Sequence, residues 1–380
     1  MSYERILITG ASGFIGSRLC EKLTLQYRLP YRALVRNYSR AARIARLAPE
    51  MVAGDLTDPA ALDAALSGCD AVVHLAFVEK ENVEDNLLAA CRRARIKRFV
   101  HISSMAVHGP QPGPECAREE TATIRHYNQD YSDAKARAEK KVQRAIAHGL
   151  PGVILRPTIV YGPYGPFVVR VIESAREGAV TLIDDGLGIC NAVYVDDVCD
   201  AIYAALHTET GLGKAFFING DRAVSWRDFN LTFAKMVSPE IEIRSVSARE
   251  VRAYWEAGKP SLRSNISAMK RLLSSEDFQD QLATVPALRS AIRWSKGRLK
   301  KILSADRVIA LQYAGAGPLA SAESTSWPDM GRIVREDFHL EFSNALAKQL
   351  LDWKPAFDFP AGAAMTKTWL EFADMLGRPA

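Results

Sequence analysis

Near its N-terminus the chain runs Arg5-Ile6-Leu7-Ile8-Thr9, an apolar run without alternation, straight into Gly10-Ala11-Ser12-Gly13-Phe14-Ile15-Gly16 and then Ser17-Arg18-Leu19-Cys20-Glu21-Lys22-Leu23. An unalternating apolar run is what a strand buried on both faces requires, as in a parallel sheet. Glycines directly after it permit a tight turn and close backbone approach. The helix that follows presents unpaired N–H groups and the positive end of its dipole to an anion. Strand, turn and helix therefore predict a pyrophosphate site at one end of a parallel sheet. The glycines are spaced three and three rather than two and three, a variant of the usual dinucleotide pattern. A turn with no ligand is the competing reading, and the flanking strand and helix weigh against it.

Strand-like and helix-like stretches alternate onward. Residues 31–35, 51–53, 71–75, 99–102 and 152–155 read as further strands, with helices over 82–94 and 131–148. The expected fold class is α/β: a doubly wound parallel Rossmann-type sheet, with ligand at the carboxyl ends of its strands and a smaller, interleaved C-terminal lobe. Residues 1–163, with a return segment at about 192–218, form the nucleotide-binding domain in this reading. Residues 164–191 and 219–380 form the substrate-binding lobe, with an insertion at about 255–325. The Pro/Gly-rich stretch 109–120 is expected to be a mobile loop over the site.

At 380 residues the chain can bury a large core. Its 48% apolar and 24% charged content suits an ordinary globular enzyme. A net charge of +5, with no basic arm or aromatic-interleaved basic patch, predicts no nucleic-acid partner. The start lacks a secretory pattern, and no apolar run approaches membrane-spanning length. Six cysteines without Cys-x-x-Cys spacing read as reduced thiols divided between core and surface, and with no metal cluster visible the reading is a cytoplasmic protein.

Tyr131 and Lys135, in Tyr131-Ser132-Asp133-Ala134-Lys135, share one face of a predicted helix. An ammonium near a phenol pulls its pKa down from about 10, making tyrosine a general acid/base for a carbinol oxygen. The spacing alone is common on surface helices; the glycine turn upstream gives it meaning. His108 and His126 lie near the presumed cleft and receive no catalytic role.

Several ordered blocks resemble the extended short-chain dehydrogenase/reductase family, also called the NAD-dependent epimerase/dehydratase family. They are Gly10 to Gly16, Gly54-Asp55-Leu56, His74-Leu75-Ala76, Ser103-Ser104-Met105-Ala106-Val107-His108-Gly109, Arg156-Pro157-Thr158-Ile159-Val160-Tyr161-Gly162-Pro163 and Val193-Tyr194-Val195-Asp196-Asp197-Val198. The resemblance covers residues 4–235 and returns near the C-terminus. It implies a catalytic set of Ser104, Tyr131 and Lys135, with Tyr131 exchanging the proton, Ser104 holding the substrate oxygen, and Lys135 binding the nicotinamide ribose while lowering the tyrosine pKa. It implies cofactor contacts from Gly10, Ser12, Gly13, Phe14, Ile15, Gly16, Asp55 (at the adenine), Leu56, Leu75, Ala76, Pro157, Tyr131 and Lys135. It also implies a homodimer built on helices 82–94 and 131–148. Val83, Leu87, Leu88 and Cys91 form an apolar stripe on the first of these; packing on the subunit's own sheet is the alternative use for it.

Cofactor choice turns on the end of the second strand, where NAD-selective folds carry an acid for the ribose hydroxyls. Here Arg36 stands in that place, with Arg40 and Arg43 behind it. A guanidinium suits a 2′-phosphate, so NADP is favoured over NAD, and Ser12 is a further donor to that phosphate. Stacking of Arg36 on adenine, compatible with either cofactor, is the other reading.

Three departures bear on the reaction. Met105 and Ala106 replace the Asp-Glu pair that family 4,6-dehydratases use to eliminate water, and neither can transfer a proton. Ile159 or Val160 stands where many nucleotide-sugar members carry a diphosphate-binding asparagine, and Cys190, followed by Asn191, where many carry an arginine. The basic segments 288–294 and 297–303 are amphipathic, and read as a solvated face, an anionic-substrate contact or a membrane-surface contact, the last not favoured. The leading expectation is an NAD(P)-dependent epimerase or ketoreductase acting at a secondary alcohol or ketone of a nucleotide-linked sugar. The alternatives are a carbonyl reductase for an apolar or sterol-like ketone, and a nicotinamide-sensing binding protein without turnover.

Overall fold

In the computed structural model, which describes residues 3–78, 82–127, 130–257 and 328–376, the apolar runs become strands with both faces covered. Every residue is buried in β1 (Ile6–Thr9), β2 (Tyr31–Val35), β4 (Ala71–His74), β5 (Arg98–Ile102) and β6 (Gly152–Pro157). With β3 (Glu50–Ala53) and β7 (Ala215–Ile218) they form a seven-stranded parallel sheet in the order β7-β6-β5-β4-β1-β2-β3. The order reverses between β1 and β4, and ligands of such sheets bind beyond the strand ends at that point. β7 lies in the expected return segment, but its short Ala215-Phe216-Phe217-Ile218 run is not among the strands read from the sequence.

Alternate side chains feed two cores. Ile6, Ile8, Val73, Val100 and Leu155 face one side, with α1 (Phe14–Lys22) and α5 (Val195–His207) packed over them. Leu7, Val72, Phe99 and Ile154 face the other, covered by α2 (Pro59–Leu66), α3 (Val83–Arg93) and α4 (Asp130–Ala147). Val83, Leu87, Leu88 and Cys91 belong to this second core, so the stripe on α3 is used inside the subunit. A helix over a two-sided sheet must spend its apolar face on that sheet.

The chain divides into two units, Met1–Ala248 with Gly331–Ala380, and Arg249–Met330. In the first, Ile159–Tyr161 pairs with Ala192–Tyr194 apart from the central sheet, Ile189–Cys190 with Val224–Ser225, and Ala179–Ile183 with Glu242–Val246. Asn191 and Asp197 tie the C-terminal segment down. The Asn191 amide bonds Leu340 O and the Phe342 N–H at 2.8 and 3.0 Å, and the Asp197 carboxylate accepts from the Ala356 N–H at 2.7 Å. In the second unit, Trp255 Nε1 donates to Pro328 O at 2.8 Å. Beyond residue 257 the expected insertion, with both basic segments, lies outside the described residues.

Two expectations change. The stretch 109–120 is pinned: the Phe217 N–H donates to Glu119 Oε1 at 2.6 Å, the Ser343 N–H to Ala117 O at 2.8 Å, and Cys116 is buried. Glu119 satisfies an outward N–H of the edge strand β7, which explains the anchoring. All six cysteines are free and buried, none at the surface. Among the described residues no helix is long and apolar enough to cross a membrane.

Candidate active site

Gly10 leaves β1 with φ +73°, and a Cβ there would lie 2.6 Å from Ala76 N. A Cβ on Gly16 would lie 2.2 Å from Gly10 O, so the first turn of α1 can close on the strand end only without side chains at both positions. Gly13, the N-cap, is different: a Cβ there meets only Gly10 O, at 3.2 Å, and its bareness leaves the helix N-terminus open from outside. The first turn of α1 carries no acidic residue. An uncountered helix N-terminus reached through a bare glycine fits a pyrophosphate.

Beside this turn lies a cavity of about 270 Å³. Gly10, Gly13, Phe14, Ile15, Gly16, Leu75, Ser104, Tyr131, Lys135 and Pro157 all line it, together with Phe77, Ile102, Ser103, Thr158 and Val160. The remaining expected residues do not. Ser12 is exposed on the turn, and Arg36 is exposed just past β2. Asp55 accepts from Thr57 N and Oγ1 at 2.8 and 2.6 Å, Leu56 is buried in the second core, and Ala76 backs against Gly10. Arg43 and Arg46 bind Glu21 at 2.9 and 2.8 Å, whereas no side-chain hydrogen bond or ion pair engages Arg36 or Arg40 among the described residues.

Within the cavity the Tyr131 phenol and the Ser104 hydroxyl are neighbours, and Ser104 favours the phenolate. Ser104 Oγ also accepts the Ala106 N–H at 3.2 Å, which fixes the serine at the start of a short 3₁₀ turn, Met105–His108. Lys135 is buried, and its Nζ donates to Ile102 O at 3.3 Å. Burial holds the lysine pKa down to about 8, against the opposing pull of Glu84 and Glu139. The expected lowering of the tyrosine pKa is not what the structure gives. Burial of the phenol raises it, and Ser104 only partly offsets the rise.

Several polar residues here escaped the reading of the sequence. Glu139, one turn beyond Lys135, accepts from Ser103 Oγ at 2.5 Å and from Arg156 Nη2 at 2.6 Å. This clamp joins α4 to β5 and β6; the Lys135-to-Glu139 spacing was the one available signal. Thr9, His74 and His101 stand side by side at the ends of β1, β4 and β5. Thr9 Oγ1 and His74 Nδ1 are 2.7 Å apart, the two imidazoles stack at 5.3 Å, and burial keeps both neutral. Phe77 directly follows the His74-Leu75-Ala76 block. His108 is buried with Nδ1 on Thr123 O at 2.9 Å, and neither it nor His126 lines the cavity.

Of the positions where nucleotide-sugar members hold a diphosphate, Cys190 is fully buried, Ile159 is buried, and Val160 is an apolar residue of the cavity lining.

A family model described as the NAD dependent epimerase/dehydratase family matches residues 6–218. The chain is 30% identical over 281 residues to a 2-alkyl-3-oxoalkanoate reductase of Stenotrophomonas maltophilia, a match covering 68% of this chain and 84% of that protein. It is 25% identical over 301 residues to a 4-hydroxy-2-methyl-3-oxo-4-farnesyl-3,4-dihydroquinoline-1-oxide ketoreductase of Stigmatella aurantiaca, covering 76% and 85%. Its fold is similar to that of UDP-glucuronic acid 4-epimerase from Bacillus cereus, solved with UDP-glucuronic acid and NAD, at a TM-score of 0.66 and 19% identity over 97% of this chain and 99% of that one.

Proposed function

The chain belongs to the NAD dependent epimerase/dehydratase family, an oxidoreductase of that type, and within it we propose a ketoreductase that reduces a ketone on a largely apolar molecule. One observation carries this reading: among the described residues lining the cavity, Lys135 alone is charged. A nucleotide diphosphate needs further cations or donors, and the positions where relatives supply them hold Val160 and the core residue Cys190. Beyond the cofactor turn, Phe77, Ile102 and Val160 instead offer apolar lining, which suits an alkyl-substituted 3-oxo compound of the kind named for the two reductases above.

A bound nicotinamide cofactor supplies the hydride. Tyr131 gives its hydroxyl proton to the ketone oxygen, Ser104 donates a hydrogen bond to that oxygen, and the Lys135 ammonium stabilises the phenolate that is left. The backbone of Gly13 to Gly16 receives the pyrophosphate. NADP is the favoured cofactor, supported by Arg36 and Arg40 standing uncommitted beyond β2. A reducing, cytoplasmic setting is supported by six buried thiols. A homodimer through α3 and α4 is also part of the reading; with the α3 stripe turned inward, contact falls to exposed polar residues such as Arg92 and Arg137, so light scattering should find a salt-sensitive dimer.

The test is reduced-cofactor absorbance with a 2-alkyl-3-oxoalkanoate or with UDP-glucuronic acid. Net consumption with the oxoalkanoate is expected; sugar product formed without net consumption would overturn the reading in favour of an epimerase.

A further inference from the structure

Among the described residues lining the cavity Lys135 is the one that is charged, and its surroundings are unusual for an ammonium. An ammonium has three N–H donors. One goes to Ile102 O at 3.3 Å. Towards the cavity, the face of the Phe77 ring lies 4.6 Å from Nζ. The same ring makes a T-shaped contact with Tyr131, with centroids 5.2 Å apart and planes at 72°. Phe77 therefore touches both halves of the proton-transfer pair and lines the cavity between them.

We propose that Phe77 is a positioning residue for the reaction, holding the Lys135 ammonium on its ring face and bracing Tyr131 through their T-shaped contact. The inference rests on the assignment of Tyr131 and Lys135 given above. An aromatic face attracts a cation most strongly where water is excluded, and Lys135 is such a site. An edge-to-face contact also restricts a neighbouring ring that is partly open to solvent, and Tyr131 is 49% exposed. With the carbonyl and the ring engaging two sides of the ammonium, its remaining direction is free for a ligand in the cavity.

Other groups act on the lysine. Glu84 on α3 and Glu139 on α4 favour its charge, while His74 on β4 and His101 on β5 stay neutral partly because it is charged. Tyr131 stands one turn before it on α4. The effects of Glu84, Glu139, His74 and His101 do not depend on an aromatic ring at position 77, so substitutions there isolate the ring's share.

Phe77→Leu, Phe77→Met, Phe77→Tyr and Phe77→Trp are compared with wild type and with Tyr131→Phe. The two readouts are kcat against pH, and calorimetric titration of NADPH against pH without ketone. Removing the ring favours the neutral amine, so in the Leu and Met variants both the alkaline fall of kcat and the loss of NADPH affinity should begin about half a pH unit lower. Their kcat should drop about five- to twentyfold, with KM for the ketone within about threefold. The Tyr and Trp variants should keep both pH dependences. Unchanged pH dependences in Leu and Met, or equal losses in Tyr and Trp, would overturn the role of the ring. Normal turnover in Tyr131→Phe would instead remove the underlying assignment, which separates the two failures. Should the Leu variant not fold, Met, which keeps most of the volume, carries the same reading.

Discussion

Burial moves the two proton-handling groups in opposite directions: it raises the Tyr131 phenol and lowers the Lys135 ammonium to about 8. Each shift disfavours the charged form, as desolvation requires. The lysine is cationic below about pH 8 and loses its proton above it, so turnover should fall as pH rises through that value. A pH–rate profile flat to the ordinary lysine range near 10.4 would contradict the burial of Lys135. Tyr131→Phe should lower kcat by about 10²–10⁴-fold while leaving cofactor affinity within a few-fold, because only the proton donor is lost. Lys135→Met should damage both. At Arg36 the exchange to Asp should weaken NADP and improve NAD by about 1–3 kcal/mol, read by calorimetric titration of each cofactor. Tighter NAD than NADP binding in the wild type would reverse the cofactor choice.

Among the elements, α4 has the most to hold in place, since it carries both Tyr131 and Lys135. Its fastening is Glu139, fully buried between Ser103 and the nearly buried Arg156. Breaking such a pair leaves an uncompensated buried charge. Glu139→Ala should therefore cost about 3–5 kcal/mol in urea unfolding, and Glu139→Ala with Arg156→Leu should recover part of it. Full stability in the single variant would mean that the clamp is not what seats the helix. This contact also marks where the sequence stops being readable. Strands β1, β2, β4, β5 and β6 are legible because unalternating apolar runs have few other uses, and the glycine turn because steric exclusion leaves few other residues there. Glu139 and Arg156 are 17 apart in sequence and meet only once helix and sheet have packed. The α3 stripe was legible as apolar but not as inward or outward, since periodicity records a face and not its partner.

For the whole molecule, the cavity draws on segments far apart in the chain: residues 10–16, 75–77, 102–104, 131–135 and 157–160. Its position at the reversal of strand order follows from topology, which makes the site readable before any side chain is placed. A ligand bridging those segments holds only when β1, β4, β5, β6 and α4 are all in place, so binding must be linked to the folding of that unit. At a hundred times its Kd, a ligand that binds the folded state alone adds about 2.7 kcal/mol. For a unit of about 300 residues, with an unfolding entropy of about 2.1 cal/mol/K per residue, that raises Tm by about 4 °C. Thermal unfolding with NADP, NAD or neither should therefore show the larger rise with NADP at equal concentration. Arg36→Asp should reverse the order, and Lys135→Met should shrink both rises. No rise with either cofactor in the wild type would mean that the glycine turn and its neighbours form a packed turn and not a nucleotide site.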